Sequence, residues 1–339
     1  MEKPALVDVP VLILFFNRPK QLSAVFEQVK LARPSKLLLY QDGPRGERDL
    51  PGIEACRQVV EQIDWKCEVY KNYQEKNVGC DPAEYYSQRW AFSLFDKCIV
   101  LEDDDVPSVS FFAFCKELLD RYEHDTRISM IQGLNAEEIS PNIPYDYFFT
   151  SSFCCNGWAS WRRVVEEWDG NYSFLSDKFN MWQLQNLIKE RKLRKCTIPI
   201  CQSHRESQKE YYESIFQFSM FFNSGLAIVP TRNMIRNLGA TDGSVHLTGS
   251  MQTMPKRYRR LFTMPCYEME FPLKHPRYVI ENTEYIKAYY RVHAWNHPWI
   301  KLGRSFEELF LNLRYGNFTY ITKSIKNRLL KWFGKNQWR

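Results

Sequence analysis

Four carboxylates stand in a row at Glu102, Asp103, Asp104 and Asp105, directly after the apolar run Cys98 to Leu101. Side by side at the end of a buried segment they repel one another, which is costly unless something offsets the charge. A hard divalent cation, Mg2+ or Mn2+, does so directly because it prefers oxygen ligands. Held there, it would also grip a diphosphate and neutralise its charge as a leaving group. Helix capping is the competing account, with Asp105 or Ser108 starting a helix through Phe111, Phe112, Cys115 and Leu118. Capping explains one acid, not four.

Chemistry at that point needs elements to present it, and the apolar periodicity supplies them. Val9 to Phe16 is a continuous apolar run, the pattern of a strand buried on both faces, and it ends in Asn17 and Arg18. A helical stripe through Leu22, Val25, Phe26 and Val29 follows. Lys36 to Tyr40 repeats the strand pattern and breaks at Gln41, Asp42 and Gly43. Ile53 to Ile63 reads as a helix, Cys67 to Tyr70 as a strand, Pro82 to Phe95 as a helix, and Cys98 to Leu101 as a fourth strand. Further on, Tyr147 to Phe153 and Ser224 to Pro230 read as strands and Trp161 to Trp168 as a short helix. Strands alternating with helices at this spacing predict an α/β layer with a mixed, mostly parallel sheet flanked by helices. Ligands gather beyond the carboxyl ends of such strands, and three of these strands end in polar clusters.

Composition narrows the function. The chain has 339 residues, 44% hydrophobic and 25% charged, which excludes disorder, collagen-like repeats and disulfide miniproteins. From Leu309 onward there are seven basic residues and no acid, against a whole-chain charge of +6, so residues 1–308 are close to neutral. A nucleic-acid-binding domain spreads basic charge over its folded surface, and this body does not. The ten cysteines lack paired C-x-x-C spacing and read as reduced, mostly buried thiols. With no signal-peptide layout near Met1, and no early apolar run long enough to span a bilayer, a cytoplasmic protein is expected. From Phe318 the apolar residues Ile321, Ile325, Leu329 and Trp332 recur at helical steps among lysines and arginines. Such a basic amphipathic helix over 318–335 suits the inner face of an anionic membrane, and packing against the main domain is the alternative. Thr248 to Tyr267 marks the expected edge between a main domain, 1–250, and a C-terminal extension, 251–339.

The segment from Leu101 to Phe112 resembles the E-D-D segment of nucleotide-sugar glycosyltransferases with a GT-A fold. It is most similar to bacterial family 2-like transferases of surface-polysaccharide clusters and to the N-acetylglucosaminyltransferase I group. Further likeness lies in Asn17 and Arg18 after the first strand, the turn 41–43, Asn77 to Cys80, and Arg89 with Trp90. Gly157 to Trp161, Asn223 to Pro230 and Gly243 to His246 complete a set that runs in family order over residues 9–246.

The resemblance implies a Rossmann-like GT-A domain, to which the tail pattern adds a basic helical extension, and a metal-dependent, inverting sugar transfer from a UDP-linked donor to a glycan or lipid-linked saccharide. It implies a donor site from Asn17, Arg18, Asp42, Asn77, Arg89, Glu102, Asp103, Gly157 and Trp158, with Asp104 and His246 on Mn2+ or Mg2+. Asp42 would accept the base N–H, Asp103 would hold the ribose and Glu102 the donor sugar. Five have plainer alternatives: Asp42 as a turn residue, Arg18 as a helix cap or a cover for the sheet edge, Arg89 as a surface ion-pair partner, Trp158 as core, His246 as an exposed or structural histidine. Relatives place the catalytic base shortly before the Asn-x-Gly-Leu strand, and that position here is Glu213, with Glu210 and Glu206 as alternatives. Glu replaces the usual Asp and Tyr212 the usual Trp, a change of about one C–C bond, ~1.5 Å. That departure also admits a binding or membrane scaffold protein that has lost catalysis. A nucleotidyltransferase fits less well, because Phe16 to Pro19 lacks a Gly-rich basic loop, and an aspartyl-phosphate phosphatase less still, because Pro107 stands where a Thr or Val is expected.

Overall fold

The computed structural model describes residues 3–188, 190–240, 251–295 and 297–332. Its first half alternates as read from the sequence: β1 (Val7–Phe15), α1 (Pro19–Ala32), β2 (Pro34–Gln41), α2 (Leu50–Val60), β3 (Glu68–Tyr73), α3 (Cys80–Leu94) and β4 (Lys97–Glu102). There follow β5 (Asp105–Pro107), α4 (Ser110–Arg121), β6 (Ile128–Gln132), β7 (Tyr147–Thr150), β8 (Trp158–Trp161) and α5 (Arg162–Glu166). Next come α6 (Lys178–Leu187), α7 (Arg191–Ser207), α8 (Tyr212–Phe222), β9 (Leu226–Pro230) and β10 (Ile235–Asn237). The C-terminal region is helical: α9 (Lys256–Thr263), α10 (Thr283–Val292), α11 (Pro298–Arg314) and α12 (Phe318–Trp332).

Eight strands form one sheet in the order β3-β2-β1-β4-β8-β6-β9-β7, with four of the seven adjacent pairs parallel. The fold is thus mixed α/β and Rossmann-like, with helices flanking a mostly parallel sheet. β1 lies between β2 and β4, and Val9 to Phe15 are buried without interruption, which is why the run is apolar at every position. Each such side chain contributes roughly 1.5–3 kcal/mol by leaving water. Pro19 starts α1, where a missing N–H costs nothing, and Arg33 ends it in the left-handed conformation with its N–H on the Val29 carbonyl.

Two consequences of the order matter for function. The chain runs outward from β1 to β2 and β3, then returns to the other side of β1 as β4, so β1 and β4 meet at a topological switch point. In register, Leu14 pairs with Glu102, so both strands deliver their carboxyl ends to one place. The second consequence is a short antiparallel ribbon, β5 with β10, that sets Asn237 opposite Asp105.

The middle of the chain differs from the sequence reading. Trp158 and Trp161 belong to β8, inserted antiparallel between β4 and β6, and only Arg162–Glu166 is helical. Their spacing to Val165 and Trp168 mimics a helix because strand and helix bury the same side of one corner. Among the described residues no helix is long and apolar enough to cross a membrane.

Candidate functional site at the switch point

Arg18 caps α1 immediately beyond β1, and the turn 103–104 follows β4, so the switch point brings a guanidinium against two carboxylates. Arg18 Nη2 and Nε both donate to Asp103, the latter at 3.3 Å, and Nη1 meets Asp104 Oδ2 at 2.8 Å. The backbone N–H of Phe16 adds a 3.4 Å bond to Asp103 Oδ2. Burial pushes the Asp103 carboxyl up to about 6 even though Arg18 favours its charge. Burial works against the Arg18 charge too, but Asp103 and Asp104 outweigh it and raise its pKa. The Arg18 side chain keeps 30% of its surface exposed, so it reaches the mouth of the corner.

Asp105 faces the other way. It accepts from the Gly157 N–H at 2.8 Å, Asn237 Nδ2 at 3.0 Å and Asn156 Nδ2 at 3.3 Å. Burial, then the Asp104 charge, pushes its carboxyl up to about 7, with those three donors pulling back. Gly157 is at φ +56°, and a Cβ there would lie 2.4 Å from Ile235 Cδ1, so only glycine lets the two segments close. Asn237 also donates to Asp104 Oδ1 at 3.2 Å, and the Leu238 N–H bonds the Asp104 carbonyl at 2.7 Å. A side chain on Gly239 would meet Asp104 Oδ2 at 2.7 Å. The chain after β10 therefore crosses directly over Asp104.

A second acidic group gathers beside the first. Glu102 accepts the Tyr212 O–H at 3.4 Å, and Glu213 begins α8 with Oε1 3.3 Å from the Cys155 thiol. Glu84, buried on α3, receives the Cys80 thiol at 3.3 Å. Burial pushes Glu84 and Glu102 well above the usual carboxylate range; the Glu213 charge adds to it at Glu84, and the charges of Glu84, Asp105, Asp104 and Glu213 at Glu102. Sequence reasoning missed Glu84, although it lies on the buried stripe Glu84, Ser87, Gln88, Ala91 and Phe92, where an acid is out of place. Gln88, one turn along, has neither amide atom bonded.

Glu213, Cys155, Asn156 and Asn237 also line a cavity of about 650 Å³. Its far wall is aromatic and comes largely from the C-terminal region, with Tyr258, Tyr289, Tyr290 and Trp295. His204 and His293, for which the sequence offered no context, are in the wall as well. Burial lowers both imidazoles, His293 to about 4. Among the described residues no Lys or Arg lines the cavity, so it holds acids, amides, hydroxyls and rings but no cation near neutral pH.

The other expected donor-site residues have structural partners. Asp42 accepts from the N–H groups of Gly43, Val78 and Gly79 and from Asn77 Nδ2 at 2.7 Å, filling its four acceptor positions. Asp42 and Asn77 thereby fix the turn after β2 to the start of α3. Asn17 donates to Asp49 Oδ1 at 2.8 Å, and Arg89 to the Val165 carbonyl at 3.0 Å. Trp158, expected as a stacking wall, is 1% exposed and packs on Phe92 and Phe216, so it offers no ring face to a ligand. His246 and Gly243 lie outside the described residues.

The donor set at the corner fits a hard cation in one mode. Among the described residues no three His, Cys, Asp or Glu side chains are arranged to hold a metal ion. Each Asp104 oxygen carries one bond, from Asn237 or Arg18, which leaves it acceptor capacity. Mg2+ is commonly held by one or two carboxylates with substrate phosphates and water completing the shell.

No family model matches the chain, and no curated protein does. Among solved structures it is similar to 4-diphosphocytidyl-2C-methyl-D-erythritol synthase from Anaerococcus prevotii, at 10% identity and a TM-score of 0.31. That alignment covers 53% of this chain and 84% of the other, and a likeness of this size carries no argument about function.

Proposed function

We propose that the protein is a GT-A-type glycosyltransferase that moves a sugar from a nucleotide diphosphate, most simply a UDP-sugar, to a hydroxyl of a saccharide acceptor in surface-glycan synthesis. One observation carries the reading. The corner holding Arg18, Asp103 and Asp104 sits at the carboxyl ends of β1 and β4, and it adjoins a ring-lined cavity with Glu213 in its wall and, among the described residues, no Lys or Arg. The first half suits a charged diphosphate and the second a neutral polyol, whose C–H faces stack on aromatic rings.

In this reading Arg18, oriented by Asp103, directs its exposed N–H groups to phosphate oxygens. Asp104 holds Mg2+ or Mn2+, which when bound supplies charge neutralisation for the departing diphosphate. Glu213 accepts the proton of the acceptor hydroxyl as that oxygen attacks the donor's anomeric carbon. Glu84, buried on α3, and Glu102, half-buried at the end of β4, are neighbouring carboxyls that take up protons readily. An acceptor attached to lipid brings the protein to an anionic membrane.

Titration calorimetry with UDP-sugars, with and without Mn2+, tests the first half. Asp104→Ala should abolish the metal-dependent part of binding, by about tenfold or more. Glu213→Gln should leave donor binding intact and lower transfer by roughly 10²–10⁴-fold. Normal turnover in Glu213→Gln would remove that residue from the mechanism, and metal-independent donor binding would remove Asp104.

A further inference from the structure

Helix α11 turns its apolar side outward. Its polar side is what ties it to the rest of the molecule: Glu307 accepts the Lys256 N–H at 2.9 Å, and Glu308 accepts the Tyr320 O–H of α12 at 2.6 Å. Asn312 is buried, and its amide oxygen accepts from Asn317 at 2.9 Å. Trp299, Leu302, Phe306, Leu309, Phe310 and Leu313 are all exposed, Trp299 by 81%, Phe306 by 63% and Phe310 by 61%. At about 100° per residue these six fall within an arc of about 100°. A helix packed on a water-soluble body does the reverse and buries that stripe. A continuous exposed apolar face of this kind marks a surface that something covers.

Charge identifies the occupant. Residues 298–339 hold nine Lys and Arg and two Glu, whereas the whole chain is only +6, so residues 1–297 are close to neutral. Lys301, Arg304 and Arg314 lie on α11 itself, and Lys323 and Lys326 on α12. A second copy would bring two such segments together and repel itself, whereas an anionic lipid surface would attract both. Trp, Phe and Leu on one side with Lys and Arg nearby are also the composition of a helix lying in the headgroup boundary.

We propose that α11 lies in the headgroup boundary of an anionic bilayer, with Trp299, Phe306 and Phe310 entering the acyl edge. Lys301 and Arg314, on either side of that arc, and Lys323 and Lys326 of α12 then rest on lipid phosphates. This assigns lipid contact to a helix ahead of the 318–335 stretch that the sequence pattern indicated. It does not depend on the transferase reading, because the test contains no sugar nucleotide.

The full chain is floated with vesicles of phosphatidylcholine, alone or mixed with phosphatidylglycerol. The protein should float with the anionic vesicles and stay behind with the neutral ones. Phe306→Asp/Phe310→Asp should reduce flotation about tenfold or more while the far-UV spectrum and melting temperature hold, since both rings are already in solvent. Lys301→Gln/Arg314→Gln should reduce it by a smaller factor and flatten its salt dependence. Undiminished flotation of the Phe306→Asp/Phe310→Asp variant overturns the proposal. So does a dimer in sedimentation that this variant dissolves while vesicles capture nothing, which makes the occupant a second copy.

Discussion

At the scale of single residues, the three aspartates divide their work by the bonds they accept. Asp103 holds Arg18, Asp104 shares itself between Arg18 and Asn237, and Asp105 receives three neutral N–H donors. Asp105→Ala should therefore destabilise by about 2–4 kcal/mol in urea, because the buried Gly157 N–H loses its partner. Asp105→Asn keeps one acceptor oxygen and should cost less than the alanine; equal losses would mean the carboxylate is not the pin. His293 makes a second prediction, in pH. Burial holds its folded-state value near 4 against about 6.5 when free, so between those values the unfolded chain binds the extra proton. Stability from this group is complete above pH 6.5 and is lost as pH falls toward 4, by on the order of 2–3 kcal/mol. Asp103 and Asp105 act oppositely, since their raised values let the folded state bind protons that the unfolded chain releases. The signature is thus a signed difference: from pH 7.5 to 4.5 the urea midpoint of His293→Gln should fall less, or rise more, than that of wild type. Equal changes would place His293 in solvent.

At the scale of elements, the β5–β10 ribbon is what turns a row of acids into a shaped corner. Among the described residues Asn237 is its side-chain bridge to both Asp104 and Asp105. Asn237→Ala should speed amide exchange at 235–238 by about tenfold or more while leaving β1 protected, since only a local opening becomes easier. If β1 exchange rises equally, the ribbon is part of the global unit. The parallel half was legible from residues because β1, β2 and β4 are covered on both sides, and continuous apolar runs admit little else. β6 escaped notice because Ile128–Gln132 is five residues with polar Ser129 and Gln132 buried inside it. β8 was hidden by tryptophans at helix-like spacing, where pairing with β4 and β6 overrides the local pattern. At the site, the acids and Arg18 could be read because charge beside an apolar strand needs a reason. Glu84 carried a signal that went unread, an acid on the apolar stripe of α3. Asn237 and the cavity carried none, since distant elements supply them, and the partners of Asp42 at 78 and 79 cannot be seen in one dimension.

At the scale of the whole molecule, charge is sorted into three surfaces that should respond differently to salt. The corner pairs one guanidinium with acids, the cavity is free of cations among the described residues, and α11 and α12 carry the basic excess. Raising ionic strength from about 0.05 M to about 0.5 M shortens the screening length roughly threefold. On the proposed function, donor binding rests on phosphate charge and should weaken roughly three- to tenfold over that range. Flotation on anionic vesicles should fall along with it, because the attraction of lysine and arginine to the surface decays within a screening length. Binding of a neutral oligosaccharide should move by less than about twofold, because ring stacking and hydrogen bonds to hydroxyls involve no net charge. Calorimetry at the two salt concentrations, with donor and saccharide titrated separately, reads all of this except the vesicle arm. A saccharide affinity that falls as steeply as the donor's would mean that the ligand sits at the Arg18 corner and not among Tyr258, Tyr289 and Trp295, and the division of the molecule into a charged donor half and a neutral acceptor half would fail with it.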